Sequence, residues 1–236
     1  MTINIYALTR AEWESMLATF SVRLITPPTF ADEPITLEEA WHHLRIDTFL
    51  NTDSPPATVS GDDLWLETIG IPAARNWAEG YVGKSLVTQT LELVGTAFPS
   101  DYFELPFGPV QSVTSVIYVD EDGIEQTMDP LEYDLNTDVS PARVQLAYDV
   151  DAWPTARDAY NSVRVRYVAG YTPVGDSPSF GNITPSLKIG ILLMLGHLYE
   201  NRETTMAASG GGSLVNEIPL GARVFLDKDR VRIGFA

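Results

Sequence analysis

The stretch Thr184 to Glu203, TPSLKIGILLMLGHLYENRE, decides how the rest of this chain is organised. Thr184 suits an N-cap, and Pro185 suits the first helical position, where its missing N–H has no intrahelical partner to lose. With residues about 100° apart, the apolar side chains cover an arc of roughly 260°, far wider than an ordinary surface helix needs. This pattern predicts a helix buried on most sides, either central in a bundle or shared with a neighbouring subunit. A narrow strip breaks the apolar arc: Gly190, His197 and Asn201.

The apolar side chains of this helix predict packing and no chemistry. The run is too short to span a bilayer, which needs about 20 apolar residues. His197 is interpreted as a histidine satisfied in a core or an interface. The positions expected to pack the subunit are Leu187, Ile191, Leu192, Leu195, Leu198 and Tyr199.

Two further helices are predicted before residue 85. Thr36 and Glu39 form a capping box, which predicts a helix that ends near Arg45. A second helix is expected from Asp62 to Val82, with one apolar face that includes Ile69. Gly70-Ile71-Pro72 interrupts this second pattern, so we expect a kink or a break there.

The segment between these helices and the main helix has the pattern of short antiparallel strands. β-Branched residues alternate with polar ones, and turn residues such as Asp120-Glu121-Asp122-Gly123 separate the runs. An antiparallel sheet or small sandwich is therefore expected. The predicted strands are 86–94, 104–105, 112–119, 124–128, 133–136, 143–146 and 162–169.

The predicted fold class is α+β: a helical bundle core, an inserted antiparallel β-sheet or sandwich domain, and extended N- and C-terminal arms. The N-terminal arm either lies on its own domain or reaches a neighbouring chain. The expected divisions are 1–34 for that arm, 35–84 and 184–206 for the helical core, 85–172 for the β domain, and 207–236 for a flexible linker and a C-terminal docking tail.

Charge and composition exclude several classes of function. The net charge of −17 argues against wrapping nucleic acid or docking on an anionic membrane. Between Asp101 and Asp158, 13 acids face only 2 arginines, whereas the segment from Gly221 onward is basic. Zero cysteines exclude disulfides, thiol catalysis and cysteine-bound metals. The N-terminal residues lack the pattern of a signal peptide, so synthesis in the cytoplasm is expected.

None of the remaining motifs predicts a catalytic, cofactor or metal site, and the chain is interpreted as a non-enzyme. His42 and His43 lie about 100° apart on a helix and cannot share one metal. Asp120 to Gly123 begins like a calcium loop but lacks the later ligands. Gly210 to Ser213 lacks the lysine of a phosphate loop. A sugar- or protein-binding surface could be lined by aromatic residues of the β segment: Tyr102, Tyr118, Tyr148, Trp153 and Tyr160.

Five segments together resemble the head–tail connector (adaptor) proteins of tailed bacteriophages, in the subgroup with a β insertion between the second and third core helices. The resemblance covers about Leu24 to Glu203 and does not include the arm before Leu24. The segments are TPPTFADEPITLEEAWHHLRID, ARNWAEGYVGKSLVTQTLEL, ELPFGPVQSVTSVIYVDEDG, NSVRVRYVAGY and PSLKIGILLMLGHLYENRE.

The resemblance implies a structural virion protein that is made in the host cytoplasm and assembled into the neck. It implies a dodecameric ring beneath the portal that extends the DNA channel and carries the stopper or tail. DNA would slide past an acidic lining without specific binding. It also implies that the C-terminal tail docks on the portal through Arg223, Val224, Phe225, Leu226, Lys228, Arg230 and Arg232.

Two other functions fit the residues less well. A β-domain module that binds carbohydrate or protein is supported by the aromatic residues of the β segment alone. A phage-associated hydrolase is supported only by the abundance of carboxylates in that segment, where chance pairing is expected.

Overall fold

The computed structural model describes residues 20–29, 33–46, 61–171, 183–201 and 220–231. The Gly210 to Gly212 linker and Arg232 lie outside the described residues. The helices are α1 (Leu37–Leu44), α2 (Gly61–Trp65), α3 (Ile71–Val82), α4 (Pro185–Glu200) and α5 (Leu220–Leu226). The strands are β1 (Phe20–Thr26), β2 (Gln89–Gly95), β3 (Tyr102–Leu105), β4 (Val110–Val119), β5 (Glu125–Thr127), β6 (Tyr133–Asn136), β7 (Ala142–Leu146) and β8 (Val163–Ala169).

The chain divides into two compact units. We call Met1–Pro27, Thr88–Gly170 and Arg232–Ala236 the β unit, and Pro28–Val87 and Tyr171–Val231 the helical unit. The mixed α and β composition with antiparallel sheets agrees with the predicted α+β class.

The β unit contains two antiparallel sheets. One sheet has the strand order β1-β2-β8-β4-β5 and the other β3-β7-β6. Both contribute to one apolar core, in which Leu93 and Val165 of the larger sheet join Phe103 and Val144 of the smaller one. Alternate residues of β8 are buried, as expected of a strand with one face on a core.

Strand β1 lies within the range expected as an N-terminal arm, and for Phe20–Thr26 it agrees with the alternative in which the arm lies on its own domain. Phe20–Thr26 pairs with β2, with Phe20 opposite Gly95 and Arg23 opposite Glu92. An edge strand pairs on one side only, and no strand was predicted for these residues, which were included in the extended N-terminal arm. Residue Glu33, also assigned to the arm, is instead buried in the helical unit.

Glu33 belongs to a buried charge network that ties the start of the helical unit to α3. Arg75 donates to both oxygens of Glu33, at 2.8 and 3.0 Å, and to Glu79 at 2.8 Å. Glu79 also accepts from the backbone N–H of Leu86 at 2.7 Å. Every charge in this group has a partner, which is the condition under which buried charges are tolerated.

The capping box of α1 forms as predicted. The backbone N–H of Glu39 donates to Thr36 Oγ1 at 3.1 Å, and the backbone N–H of Thr36 donates to Glu39 Oε2 at 3.0 Å. The helix ends at Arg45, which has φ 55°. Local sequence signals therefore set both ends of α1.

Of the predicted kink or break around Gly70, the structure shows no break but an irregular turn: a π-helical turn, Leu66–Gly70, joins α2 to α3. The N–H of Ile71 bonds to the carbonyl of Leu66, five residues back. Pro72 cannot donate a backbone hydrogen bond, so the chain accommodates it at the start of α3 after a widened turn. The extra residue in this turn changes which side chains face the core.

Helix α4 lies among α1, α3, α5 and the π turn. Thr184 caps it by accepting from the N–H of Leu187 at 3.3 Å, and Pro185 occupies its first turn. The wide apolar arc is explained by these four neighbours inside the helical unit. Its buried residues are Leu187, Gly190, Ile191, Met194 and Leu195.

Candidate functional site

The C-terminal residues form a short helix that packs on its own subunit. Ala222 and Leu226 lie four residues apart on α5, and both are fully buried. Leu226 fills the space beside Gly190 of α4, where an added Cβ would lie 2.7 Å from Leu226 Cγ. Gly190, which interrupts the apolar pattern of α4, is therefore the contact point for the tail helix.

Residues after α5 remain attached to the helical unit. Tyr81 donates to Asp227 at 2.8 Å, which raises the pKa of the Tyr81 hydroxyl. Thr184 Oγ1 donates to Asp229 at 2.9 Å, and the N–H of Val231 donates to the carbonyl of Val82 at 2.8 Å. The segment as far as Val231 is therefore held by specific contacts and is not a free tail.

Six of the seven residues expected to dock on the portal lie in the described ranges, and they occupy different environments. Leu226 is buried in the helical unit, so its assignment as a docking anchor is wrong. Arg223 is half-buried, and Arg230 stacks over the ring of Tyr81 at 4.8 Å. Exposed positions within the group are Val224, Phe225, Lys228 and Arg230.

Among the described residues of the helical unit, exposed apolar side chains form two faces. The outer face of α5 carries Leu220, Val224 and Phe225, exposed by 76%, 56% and 36%. We call this the α5 face. A second face on α2 and the π turn carries Leu64 and Ile69, exposed by 56% and 54%, and we call it the α2 face.

The α2 face was not predicted. The sequence places Ile69 on the apolar face of the second predicted helix, because α-helical spacing aligns it with Leu66. Leu66 is fully buried and Ile69 is not, since the π turn shifts the phase between them. The Gly70-Ile71-Pro72 sequence was the available signal for an irregular turn, but it does not specify its hydrogen bonding.

The six subunit-packing candidates of α4 all pack within the helical unit. Leu187, Ile191 and Leu195 are fully buried there, which for these three residues favours the bundle centre over an interface shared with a neighbouring subunit. Leu192, Leu198 and Tyr199 are partly buried against the same core. Tyr199 stacks edge-on with Trp65, with ring centroids 5.9 Å apart, and donates to Asp62 at 3.3 Å.

The histidines and acidic groups of the described ranges form no site for catalysis or metal binding. His42 lies 3.7 Å from Glu38 on the exposed side of α1, and burial lowers the pKa of His43. Asp120 stabilises its hairpin by accepting from the N–H of Ile124 and from Gln126, and these bonds lower its pKa. Among the residues that the structure describes, no group of three or more His, Cys, Asp or Glu could hold a metal ion.

The aromatic residues of the β unit do not form one exposed platform. Trp153 stacks on Phe98 at 5.1 Å, and Tyr118 packs edge-on against the same ring. Tyr102 lies under the guanidinium of Arg143 at 4.2 Å. Of the five candidates, only Tyr148 and Tyr160 are largely exposed, which removes most of the support for a carbohydrate-binding surface.

No protein-family model matches this chain, and no curated protein matches it. Within the described ranges, no helix is long and apolar enough to cross a membrane.

Solved structures of phage-like particles share the fold. A chain from the neck of an empty gene transfer agent particle, computed with C6 symmetry, has a TM-score of 0.65 and 23% sequence identity. A chain from the virion of the native gene transfer agent has a TM-score of 0.65 and 22% identity, and one from its native neck, computed with C12 symmetry, 0.63 and 21%. The matches cover 91–92% of this chain and 98% of each neighbour.

Proposed function

We propose that this protein is a structural, non-enzymatic component of the neck of a tailed phage or phage-like particle, and that it acts as the head–tail adaptor. The observation that carries the proposal is the fold match, which extends over 91–92% of this chain and 98% of each particle chain. The adaptor-like order of segments from Leu24 to Glu203 supports it independently.

The proposed assembly is a dodecameric ring beneath the portal. The gene transfer agent necks were computed with C6 and C12 symmetry, which is compatible with such a ring. Subunits in a ring make heterologous contacts, so each needs two different surfaces. The exposed α5 and α2 faces supply two apolar surfaces on one helical unit.

The ring would extend the DNA channel and provide the platform for the stopper or another tail component. An overall charge of −17 supports passage of DNA without specific binding, because affinity for DNA requires basic groups that displace counterions. The protein would be made in the host cytoplasm and would reside in the virion neck.

Portal docking is proposed for the C-terminal segment from Gly221 onward. Its partner-facing groups would be the basic residues Lys228, Arg230 and Arg232. Leu226 is buried in the helical unit, and Arg223, Val224 and Phe225 lie on α5, whose exposed face is assigned to the ring contact.

Particle imaging tests the proposed location. A small tag inserted in the exposed hairpin at Asp122 should produce extra density around the neck, below the portal, in every particle. Particles without the tag provide the control. Density in the capsid interior or at the distal end of the tail would contradict the adaptor assignment.

A charge-reversal variant tests portal docking. Lys228→Glu with Arg232→Glu should weaken capture of this chain by the portal protein of the same particle, whereas Arg157→Glu on the β unit should not. If the portal captures the double variant, the Arg157→Glu control and the unmodified chain equally well, the C-terminal segment does not contact the portal.

A further inference from the structure

The α2 face exposes two large apolar side chains on a short helical segment. Leu64 and Ile69 point outward from a region that buries Leu66 and Gly70 on its other side. Thr68, between them, uses its hydroxyl to donate to the carbonyl of Leu64 at 2.6 Å. The polar group on this face is therefore satisfied locally, and the face offers mainly apolar contact.

Helix α5 and the segment of α2 with the π turn pack on opposite flanks of α4. On one flank, α5 contacts Gly190 and Leu193 of α4, since an added Cβ at Gly221 would lie 3.6 Å from Leu193 Cδ1. On the other flank, an added Cβ at Gly70 would lie 3.1 Å from Leu195 Cδ1.

The directions of these contacts around the axis of α4 follow from the spacing of its residues. Trp65 and Asp62 on α2 contact Tyr199 of α4. At 100° per residue, the α5 contacts and the α2 contacts on α4 point roughly 120–180° apart. Helices α5 and α2, which carry the two exposed apolar faces, therefore pack on opposite sides of α4.

The two flanks are complementary in charge as well as in apolar character. The segment Gly61–Gly70 contains Asp62, Asp63 and Glu67 and no basic residue. Helix α5 has one charged residue, Arg223, and its Nε is buried with no hydrogen-bond partner among the described residues.

Asp62 and Asp63 already accept from Tyr199 and from Trp41 Nε1. Glu67 is thus the acid of this segment best placed to meet Arg223 of another molecule.

We propose that the α5 face of one copy packs on the α2 face of the next copy, with Leu220, Val224 and Phe225 against Leu64 and Ile69, and Arg223 near Glu67. Opposite, complementary flanks generate a head-to-tail contact that closes into a ring when the rotation per subunit allows it. This inference rests on the proposed ring and names its subunit contact. It assigns the apolar part of α5 to a second copy, which leaves Lys228, Arg230 and Arg232 for the portal.

Cysteine cross-linking tests the contact directly, because the chain has no cysteine of its own. The full chain carrying Leu64→Cys and Val224→Cys is treated with a short bismaleimide and separated under denaturing conditions. We expect a ladder of covalent oligomers. Both positions are exposed, so neither substitution removes a core contact.

The single variants make the test specific for a heterologous contact. Each alone should remain monomeric under the same treatment, and an equal mixture of the two should stop at dimers. A Leu64→Cys and Leu131→Cys chain, with its second cysteine on an exposed residue of the β unit, should give no ladder. Dimers from Leu64→Cys alone would indicate a symmetric contact and would overturn the proposal.

Charge exchange provides a second readout. Arg223→Glu should raise the apparent dissociation constant for self-association by roughly tenfold or more, because it places two acids together. Glu67→Arg in the same chain should restore association. No weakening by Arg223→Glu, or no rescue by Glu67→Arg, would overturn the proposed pairing.

Native mass measurement of the unmodified chain, alone and with the portal, separates failure of this contact from failure of the proposed function. If the unmodified chain forms rings but the chain with Leu64→Cys and Val224→Cys gives no cross-linked ladder, the proposed contact is wrong and the adaptor proposal stands. Absence of any oligomer in both samples, together with absence from the neck, would overturn both.

Discussion

At the scale of single residues, Glu92 joins three strands of the larger sheet. It is fully buried on β2 and accepts from Arg23 on β1 and from Arg166 on β8, the latter at 2.9 Å. Both arginines lie beside Glu92 in the strand register. The edge strand β1 is thus attached by a charge-assisted side-chain bridge as well as by its backbone.

Glu92→Gln should lower the free energy of unfolding by about 1–3 kcal/mol, because hydrogen bonds to a charged group are replaced by weaker ones. Urea denaturation measures this change, and faster hydrogen–deuterium exchange of the β1 amides should accompany it. Glu125→Gln is the matched control, since Glu125 pairs with Arg164 while remaining 58% exposed. Its expected effect is below about 1 kcal/mol. Equal effects of the two substitutions would contradict a special role for Glu92.

The contribution of Glu92 should depend on pH. Burial opposes its ionisation, but hydrogen bonds and charges from Arg23 and Arg166 outweigh burial and lower its pKa. The folded-state pKa is therefore below the unfolded value of about 4.3, so the stabilisation is complete above that value and is lost as pH falls through the folded-state pKa. The stability difference between the native chain and Glu92→Gln should shrink from about pH 5 to about pH 3. A difference that stays constant over this range would refute the assignment.

At the scale of secondary structure, the docking of α5 depends on the absence of a side chain at Gly190. Leu226 lies where a Cβ at that position would be, at 2.7 Å. Glycine costs about 1 kcal/mol relative to alanine inside a helix, so this position gives up helix propensity in exchange for close packing of two helices.

A double-mutant cycle tests this packing. Gly190→Ala should destabilise the chain by about 1–3 kcal/mol through overpacking, and Leu226→Ala by about 2–5 kcal/mol through the cavity it leaves. The double variant should lose less than the sum, because removing Leu226 relieves the clash. Gly80→Ala on α3 is the control, since an added Cβ there meets nothing within 4 Å, and it should be neutral or stabilising. Additive losses in unfolding experiments would contradict direct contact.

At the scale of the whole molecule, negative charge dominates. The 236 residues carry a net charge of −17, and charged pairs such as Arg143 with Glu104, at 3.2 Å, neutralise only part of the acidic β unit. A chain of this charge repels polyanions over distances comparable with the Debye length, about 8 Å at physiological salt.

The purified chain should therefore not bind duplex DNA measurably at physiological salt, where non-specific binding proteins have dissociation constants of about 10⁻⁴–10⁻⁶ M. Fluorescence anisotropy with a labelled duplex measures this, with a basic DNA-binding protein as the positive control. Saturable binding that weakens steeply with added salt would show a basic DNA-contacting surface and contradict the proposed passive channel.

Local signals determined much of the fold from the sequence. The capping box of Thr36 set the start of α1, Thr184 and Pro185 set the start of α4, and alternation located β6 at Tyr133–Asn136. These features depend on residues close in sequence, whose hydrogen bonds and periodicity can be deduced without knowing the neighbours in space.

The tertiary structure alone decided the role of β1, the phase of the π turn and the docking of α5. Phe20–Thr26 becomes a strand because β2 offers a free edge, and Ile69 turns outward because one extra residue enters the helical turn. Leu226 becomes part of the core because Gly190, 36 positions earlier in the chain, leaves space for it. Each of these depends on a contact between segments distant in sequence, or on a hydrogen-bonding pattern that several local sequences permit. For that reason the exposed α5 and α2 faces could not be predicted from the sequence.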